Sequence, residues 1–369
     1  MTRALMFVGS CTGPLGYVSR PAGKGVAAFR IDLETGLGEE LAGLTGIVNP
    51  TFLAVAPGGR SLLATSELEG QLEGLVTACA IDRTTGALRP LGREGSRGWT
   101  PAHLGFSPDA RYAGVANYGA VPAGAPPGAS VAIFALASGG AIARLAAEAT
   151  HAGTGPNAAR QDRPHGHCVR WTPDGRFVLV CDLGIDRLVV YRFEPASGAI
   201  ARHGEIALPA GDGPRHLAFH PDGRRLYVVC ELSSSVASFA WDSGAGAARL
   251  LADVSTLPAG GFAGNSCSAI AISPDGRRLY AGNRGHDSLA RFAIDAEGVA
   301  RFIGTTPSGG RVPRDFAFDP SGRIIAVANQ ESDCVTLFRY EPVSGDLIPL
   351  GQPIPTGSPT AIAFHPLLD

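Results

Sequence analysis

The sequence has 369 residues, a hydrophobic content of 45% and a formal net charge of −2. That apolar content is sufficient for a packed core and argues against a wholly disordered chain. The charges are interspersed and lack the clustered basic surface that nucleic-acid binding requires. No stretch approaches the length of a transmembrane helix, and the first apolar run is too short for the core of a signal peptide. We therefore expect a cytoplasmic protein without a nucleic-acid or membrane partner.

The turn-forming residues and the cysteines give further information about the structural class of the protein. The 50 glycines and 28 prolines are spread along the chain, which indicates many turns between short strands. The seven cysteines form no CxxC pair and lie mostly in apolar runs, as is typical of buried, reduced thiols. We expect neither a metal nor a cofactor, because no ligand spacing such as HExxH is present.

A turn of the Pro-Asp-Gly type follows an apolar strand again and again. The repeated turns contain Pro57, Pro108, Pro173, Pro221, Pro274 and Pro320, at intervals of 46 to 65 residues. A seventh apolar run, at residues 360–365, ends at Pro366. A multi-strand repeat of about 40–50 residues is the signature of a β-propeller.

The repeats predict an all-β protein, a single seven-bladed propeller domain over residues 1–369 with four antiparallel strands per blade. In the unit at 163–200, the predicted strands are 168–171, 177–181, 188–193 and one after the turn 194–198. The last blade is split: its innermost strand is 360–365, and its others are 4–8, 26–31 and one after Gly36. Joining strands from both ends closes the ring and removes an exposed sheet edge.

The topology sorts the loops between two faces. Consecutive antiparallel strands reverse direction, so the tight turns lie on one face and the other connections lie on the opposite face. The long segments 118–130, 149–164 and 257–266 all belong to that second face. Irregular loops on a rigid scaffold are where function usually resides.

Polar residues collect at the same rim, where each innermost strand begins and each second strand ends. These residues are Ser10, Asn49, Glu67, Asn117, Tyr118, His165, His167, Asp182, Arg215, His216, Glu231, Asn283, Arg284, Arg314, Asp315, Asn329 and Gln330. Such a ring around the mouth of a central channel predicts a small-molecule site. Histidine can exchange protons near neutral pH, and arginine can bind an anion or stabilise a developing oxyanion.

Several of these residues also have a purely structural interpretation. Asp182 could only close a turn, and Arg215 with Glu231 could equally be an ordinary ion pair within one blade. Only one of His165 and His167 is expected to face the channel. The remaining histidines are expected to be structural, surface or core residues: His103, His151, His203, His220, His286 and His365.

Four stretches carry a family resemblance: PHGHCVRWTPDGRFVLVCDLGIDRLVVYRF, GPRHLAFHPDGRRLYVVCELSSSVASF, AISPDGRRLYAGNRGHDSLARF and PRDFAFDPSGRIIAVANQESDCVTLFRY. With the N-terminal blade they cover essentially the whole chain. The sequence resembles the seven-bladed β-propeller lactonase family, which includes bacterial 6-phosphogluconolactonases and fungal carboxy-cis,cis-muconate lactonising enzymes. The resemblance implies an active site of His167, Arg215 and Glu231, with His165 as the second choice for the histidine. The Ala- and Gly-rich stretch at 123–149 departs from the family pattern.

The resemblance implies hydrolysis of a sugar lactone, with 6-phosphogluconolactone the first candidate, by metal-independent acid–base catalysis. Water activated by His167 or Glu231 would attack the carbonyl, and Arg215 would stabilise the oxyanion or hold a substrate anion. The other predicted substrate-binding residues are His165, Asp182, Asn283, Arg284, Arg314, Asn329 and Gln330, with Arg284 and Arg314 as candidates for a phosphate or carboxylate. The alternatives are a muconate cycloisomerase (lactonising) and a non-enzymatic binding scaffold, and the scarcity of aromatic residues at the rim counts against the scaffold. The sequence gives no oligomeric state.

Overall fold

The computed structural model describes residues 3–68, 70–71, 73–119 and 128–367. Within them, seven separate four-stranded antiparallel sheets stand in a ring. The first strands of neighbouring sheets contact one another around the centre, so each sheet radiates outward as a blade. The predicted seven-bladed propeller is confirmed.

The seventh blade joins the two ends of the chain, as predicted. It consists of β1 (Arg3–Ser10), β2 (Gly25–Asp32) and β3 (Gly38–Thr45) together with β28 (Pro359–Phe364). β28 is the innermost strand and pairs antiparallel with β1, with Met6 opposite Phe364. The ring is therefore closed by backbone hydrogen bonds between the two ends of the chain.

The other six blades each use four consecutive strands. Blade one contains β4 (Leu53–Val55), β5 (Ser61–Ser66), β6 (Leu75–Ile81) and β7 (Leu88–Gly95). Blade two contains β8 (Pro101–Phe106), β9 (Tyr112–Asn117), β10 (Val131–Leu136) and β11 (Ile142–Ala149). Blade three contains β12 (Gly166–Trp171), β13 (Phe177–Asp182), β14 (Arg187–Glu194) and β15 (Ala199–Ala207).

The remaining blades repeat this arrangement. Blade four contains β16 (Pro214–Phe219), β17 (Arg225–Cys230), β18 (Ser235–Asp242) and β19 (Ala247–Ser255). Blade five contains β20 (Ser266–Ile272), β21 (Arg278–Arg284), β22 (Ser288–Ile294) and β23 (Ala300–Pro307). Blade six contains β24 (Pro313–Phe318), β25 (Ile324–Asn329), β26 (Cys334–Tyr340) and β27 (Leu347–Pro355). Two short 3-10 helices, Leu183–Ile185 and Gln330–Ser332, follow β13 and β25.

The core lies between the blades. The second strand of a blade, such as β13 or β25, is buried on both faces, which explains its unbroken apolar sequence. The interface of blades three and four, for example, contains Phe177, Leu179, Leu217 and Phe239. Fully burying one such side chain stabilises the fold by ~1.5–3 kcal/mol, so the blade interfaces hold the ring together.

The repeated tight turns lie on the rim opposite the long loops, which we call the plain rim. Contacts from these turns connect each blade to its neighbour. Gly223 ends one such turn at φ 68, a conformation in which glycine has no steric penalty. The ring nitrogen Nε2 of His220 lies 2.9 Å from the carbonyl oxygen of Gly276 in the next blade, and His365 makes the same contact with Gly59 at 3.0 Å. The structural interpretation of these two histidines is confirmed.

Two sequence predictions about the whole molecule can be compared with the structure. In the part of the chain that the structure describes, no helix is long and apolar enough to cross a membrane. All seven cysteines are free, and all except Cys334 are buried, which confirms the expected burial of the thiols. A cytoplasmic location stays a prediction.

Candidate active site

A cavity of about 320 Å³ opens where the central channel meets the long-loop rim. It draws residues from all seven blades, so it exists only in the closed ring. Its charged and aromatic lining residues are Tyr17, Phe52, Glu67, Tyr118, Arg160, His167, Arg215, His216, Glu231, Arg284, Arg314 and Asp315. The predicted convergence of polar residues at this rim is therefore observed.

A recurring β-bulge aims side chains into this cavity. In five blades, the pairing between the innermost strand and the next strand skips one residue near the rim: Ala102, His167, Arg215, Arg314 and Thr360. All five skipped residues line the cavity. A bulge leaves its extra residue outside the hydrogen-bonded ladder and redirects the side chain. The fold thus presents one substitutable position to the ligand from each of these blades.

Glu231 is the electrostatic centre of the site. Its Oε2 accepts a hydrogen bond of 2.9 Å from Nε of Arg215 and lies 2.8 Å from a terminal nitrogen of Arg284. Its Oε1 accepts a hydrogen bond of 2.5 Å from Arg160. The hairpin of β16 and β17 brings Arg215 and Glu231 together, although 16 positions separate them in the chain. Both carboxylate oxygens are therefore held by guanidinium groups.

This clustering fixes the charge of each member. Burial alone would raise the pKa of Glu231, but the charges of Arg284 and Arg215 outweigh it and hold the pKa well below its ordinary value. Burial and the neighbouring Arg284 lower the pKa of Arg215 to about 9. At neutral pH the carboxylate is ionised and Arg215 is still a cation. Glu231 is consequently a weak proton acceptor and a strong anchor for the arginines.

His167 has the opposite character. Its Nδ1 is buried and has no hydrogen-bond partner among the described residues. Its ring packs edge-on against Tyr118 and His216, with centroids 5.5 and 5.3 Å away. Burial and the charge of Arg215 lower the pKa of His167 well below its ordinary value. The imidazole is therefore neutral at pH 7 and carries a lone pair that can accept a proton.

Two further histidines, His216 and His103, lie next to Arg215 on the channel side of the site. Nε2 of His216 lies 3.3 Å from a terminal nitrogen of Arg215, and the His216 ring is 5.0 Å from the ring of His103. Burial and the charge of Arg215 also lower the pKa of His216 well below its ordinary value. A neutral His216 can accept the Arg215 N–H, so it orients that guanidinium. The expectation that His103 is a surface or core residue is met, because it is buried.

Arg160 is the contact that the sequence reasoning missed. It lies in the long connection between β11 and β12, where no strand register predicts a position. Its terminal nitrogen donates to the Tyr118 hydroxyl at 3.1 Å as well as to Glu231. A long loop on the functional rim was the available signal, but it did not single out this residue.

A second missed arrangement lies across the cavity. Tyr17, in the connection between β1 and β2, places its ring 4.0 Å from the guanidinium carbon of Arg314. Its hydroxyl donates a hydrogen bond of 2.6 Å to Glu67. Tyr17 therefore links a blade-six arginine to a blade-one carboxylate.

Asp182, one of the predicted substrate-binding residues, is not among the residues that line the cavity. It is fully buried, and its Oδ1 accepts hydrogen bonds from the backbone N–H groups of His165 and Gly184. Its Oδ2 lies 2.5 Å from Nδ1 of His151, whose other nitrogen contacts the Tyr191 hydroxyl. The turn-closing interpretation of Asp182 is correct, and His151 is a buried core residue.

His165 also lies outside the cavity lining. Its ring stacks on that of Tyr118 with centroids 4.4 Å apart, and its Nδ1 contacts the Tyr118 carbonyl oxygen at 2.6 Å. It follows that His167, not His165, faces the cavity, as expected for one of the two. His165 therefore supports Tyr118, which does line the cavity, and its contact with substrate stays a prediction.

The three amide residues predicted to bind substrate, Asn283, Asn329 and Gln330, are also not among the residues that line the cavity. Asn283 and Asn329 are fully buried, and they hydrogen-bond to Thr256 and Thr336, respectively. Gln330 donates to the carbonyl oxygen of Tyr17 at 3.1 Å, so it supports the cavity wall without lining it. These amides lie at or just beyond the ends of second strands that are buried on both faces, and their side chains face protein.

Part of the predicted loop rim cannot be compared, since residues 120–127 of the 118–130 connection lie outside the described residues. Among the residues that are described, no group of three or more His, Cys, Asp or Glu side chains is placed to hold a metal ion. The absence of a metal and of a cofactor from the reaction stays a prediction.

Comparisons with known proteins agree with the fold and its length. The chain is 31% identical over 353 residues to the 6-phosphogluconolactonase of Bacillus subtilis, covering 95% of this chain and 97% of that protein. It is similar in structure to a periplasmic gluconolactonase of Pseudomonas aeruginosa, with a TM-score of 0.88, 31% identity and 99% coverage of both chains. The model of the family described as "Lactonase, 7-bladed beta-propeller" matches residues 6–364. The chain therefore belongs to the seven-bladed β-propeller lactonase family.

Proposed function

We propose that the protein is a lactonase that opens an aldonolactone ring by adding water, with 6-phosphogluconolactone as its first-choice substrate. One observation carries this proposal: a neutral, unpartnered imidazole and two arginines held on a buried carboxylate line the same cavity. A base and an oxyanion-stabilising group are what ester hydrolysis requires. The names of the relatives in B. subtilis and P. aeruginosa support the same class of reaction.

His167 is the proton acceptor in this proposal. Glu231 is ill suited to that role, because guanidinium groups occupy both of its oxygens and lower its pKa. His167 lines the cavity, and none of the described residues forms an ion pair with it. A general base must lie within hydrogen-bond reach of the water that it activates, and a ring that lines the cavity meets that condition.

Arg215 and Arg284 stabilise the charge that develops on the carbonyl oxygen. Glu231 fixes one edge of each guanidinium, and His216 contacts a second nitrogen of Arg215. Donors fixed in this way stabilise an oxyanion without reorganising during the reaction. The buried setting strengthens their attraction for negative charge.

In this proposal, lactone opening takes two steps. His167 takes a proton from water while the water oxygen bonds to the carbonyl carbon, and the carbonyl oxygen becomes the oxyanion. Collapse of the tetrahedral intermediate breaks the bond to the ring oxygen. The proton on His167 passes to that leaving oxygen, and the product is the open hydroxy acid, which ionises at neutral pH.

A panel of lactones tests the proposal. Wild-type protein and the variants His167→Gln and His203→Gln would be assayed for acid release from 6-phosphogluconolactone and glucono-δ-lactone, with the spontaneous rate subtracted. His203 is the control because it lies on the plain rim, where its Nε2 contacts the Ala245 carbonyl oxygen and its ring packs against Phe177. We expect wild type and His203→Gln to hydrolyse at least one lactone, and His167→Gln to lose about 10²–10⁴-fold in rate.

Equal rates for wild type and His167→Gln would contradict the assignment of the base. A muconate absorbance assay on the same proteins covers the cycloisomerase alternative. Conversion of a cis,cis-muconate, with no hydrolysis of any lactone, would replace the proposed reaction with lactonisation.

A further inference from the structure

Arg314 differs from every other arginine that the structure describes in the cavity. Arg160, Arg215 and Arg284 all contact Glu231. For Arg314, the described residues supply neither an ion-pair partner nor a hydrogen-bond acceptor, and its close contact is the ring of Tyr17. The cavity therefore contains one guanidinium whose hydrogen-bonding capacity is still free.

The contact with Tyr17 leaves the N–H groups of the Arg314 guanidinium available to a ligand. The ring lies 4.0 Å from the guanidinium carbon and stabilises the cation through its π-face. A face contact of this kind uses none of the five N–H donors, which lie in the guanidinium plane. Paired N–H groups in that plane match the oxygens of a phosphate or carboxylate.

Two features hold Arg314 rigidly: its own backbone on one side and Tyr17 on the other. We call this arrangement the mounting of Arg314. Its backbone is the bulged residue between Pro313 and Asp315, which directs the side chain into the cavity. Tyr17 is fixed through its hydroxyl to Glu67 and through its carbonyl oxygen to Gln330. The position of the cation is therefore set before any ligand arrives, which lowers the entropic cost of binding.

We propose that Arg314, mounted on Tyr17, binds the phosphate monoester of the substrate and so selects phosphorylated over unphosphorylated lactones. This assignment rests on the lactonase activity proposed above. It divides the arginines of the cavity into two functions, because Arg215 and Arg284 serve the carbonyl and Arg314 serves the distant anion. Glu231 neutralises part of the first group but makes no ion pair with Arg314.

The first experiment compares two substrates. The kcat/KM values for 6-phosphogluconolactone and glucono-δ-lactone would be measured for wild type, Arg314→Gln and Arg301→Gln. Arg301 is the matched control, an exposed arginine paired with Asp295 on an outermost strand. We expect the ratio of phosphorylated to unphosphorylated kcat/KM to fall about 10- to 100-fold in Arg314→Gln, the size of a lost charged hydrogen bond, and to hold in Arg301→Gln. An unchanged ratio in Arg314→Gln would overturn the proposal.

Two more variants separate binding from folding. Tyr17→Leu removes the ring beneath the cation, and the same ratio should fall, mainly through a higher KM for the phosphorylated lactone. Tyr17→Phe keeps the ring and loses the bond to Glu67, so its ratio should fall less than that of Tyr17→Leu. A ratio unaffected by Tyr17→Leu would contradict the mounting.

A binding measurement keeps this inference separate from the lactonase proposal. Calorimetry with 6-phosphogluconate should detect binding to wild type and much weaker binding to Arg314→Gln. If wild type hydrolyses no lactone but this difference holds, the proposed reaction fails while the anion site stands. If wild type hydrolyses lactones and both proteins bind 6-phosphogluconate equally, the anion site fails while the reaction stands.

Discussion

Replacing Glu231 with glutamine is the sharpest structural perturbation of the site. The side chains of Glu231 and Arg215 are only 5% and 3% exposed, respectively. Removing the charge leaves Arg215 and Arg284 buried beside each other without their shared carboxylate. Breaking a buried ion pair in this way destabilises a protein by about 3–5 kcal/mol. We expect Glu231→Gln to lose stability in that range and to lose most of its lactonase activity.

Urea unfolding, followed by the fluorescence of the three buried tryptophans, measures that loss. Glu205→Gln is the matched control, because its pairs with Arg187 and Arg202 are about one-third exposed or more on both sides. Surface pairs of this kind contribute about 0–1 kcal/mol. A loss below about 1 kcal/mol for Glu231→Gln would refute the view that Glu231 is the buried anchor.

The residual activity of Glu231→Gln also distinguishes the two candidate bases. The negative charge of Glu231 raises the pKa of His167, while burial and Arg215 lower it. Loss of that charge should move the acid limb of kcat/KM to lower pH and leave its shape unchanged. If Glu231 were the base, the limb due to its protonation would vanish instead.

Three further predictions concern other parts of the fold. Burial and the nearby Asp253 raise the pKa of Asp212 to about 6. The carboxyl group therefore binds its proton more tightly in the folded protein than in the unfolded chain. As a result, the stability of wild type falls as the pH rises from about 4 to about 6. The stability of Asp212→Asn relative to wild type should therefore rise across this window, by at most about 3 kcal/mol for a two-unit shift, and a pH-independent difference in urea unfolding would be contradictory. His220→Ala should cost about 1 kcal/mol in the same assay through its lost contact with the Gly276 carbonyl, with lactonase kcat/KM retained because the turn lies on the opposite rim. Tyr118→Phe should lower kcat/KM about 2- to 10-fold through the lost hydrogen bond to Arg160, and wild-type kinetics would rule that contact out as functional.

The repeat made most of the fold predictable. Turn prolines at regular intervals specify the number of blades, and apolar runs buried on both faces specify the second strands. The split seventh blade followed from one unpaired apolar run at residues 360–365. The pairing of Arg215 with Glu231 was also accessible, since a hairpin of known register returns the chain to the same rim.

What could not be predicted depends on side-chain direction and on loops. Asp182, Asn283 and Asn329 lie at the expected rim, but their side chains satisfy neighbouring backbone and hydroxyl groups. One-residue bulges determine which rim residues reach the cavity, and a bulge has no reliable sequence signature. Arg160 and Tyr17 come from connections outside the repeat, so no register places them.

The central claim is that the neutral imidazole of His167 activates water for lactone hydrolysis. The most direct measurement is kcat/KM for 6-phosphogluconolactone from pH 4 to pH 8, for wild type and His167→Gln. Because the pKa of His167 lies well below its ordinary value, wild-type kcat/KM should stay level from pH 8 to below pH 6.5 and fall only as the imidazole becomes protonated. His167→Gln should lose both the rate and this limb. A wild-type limb that persists unchanged in His167→Gln would contradict the account.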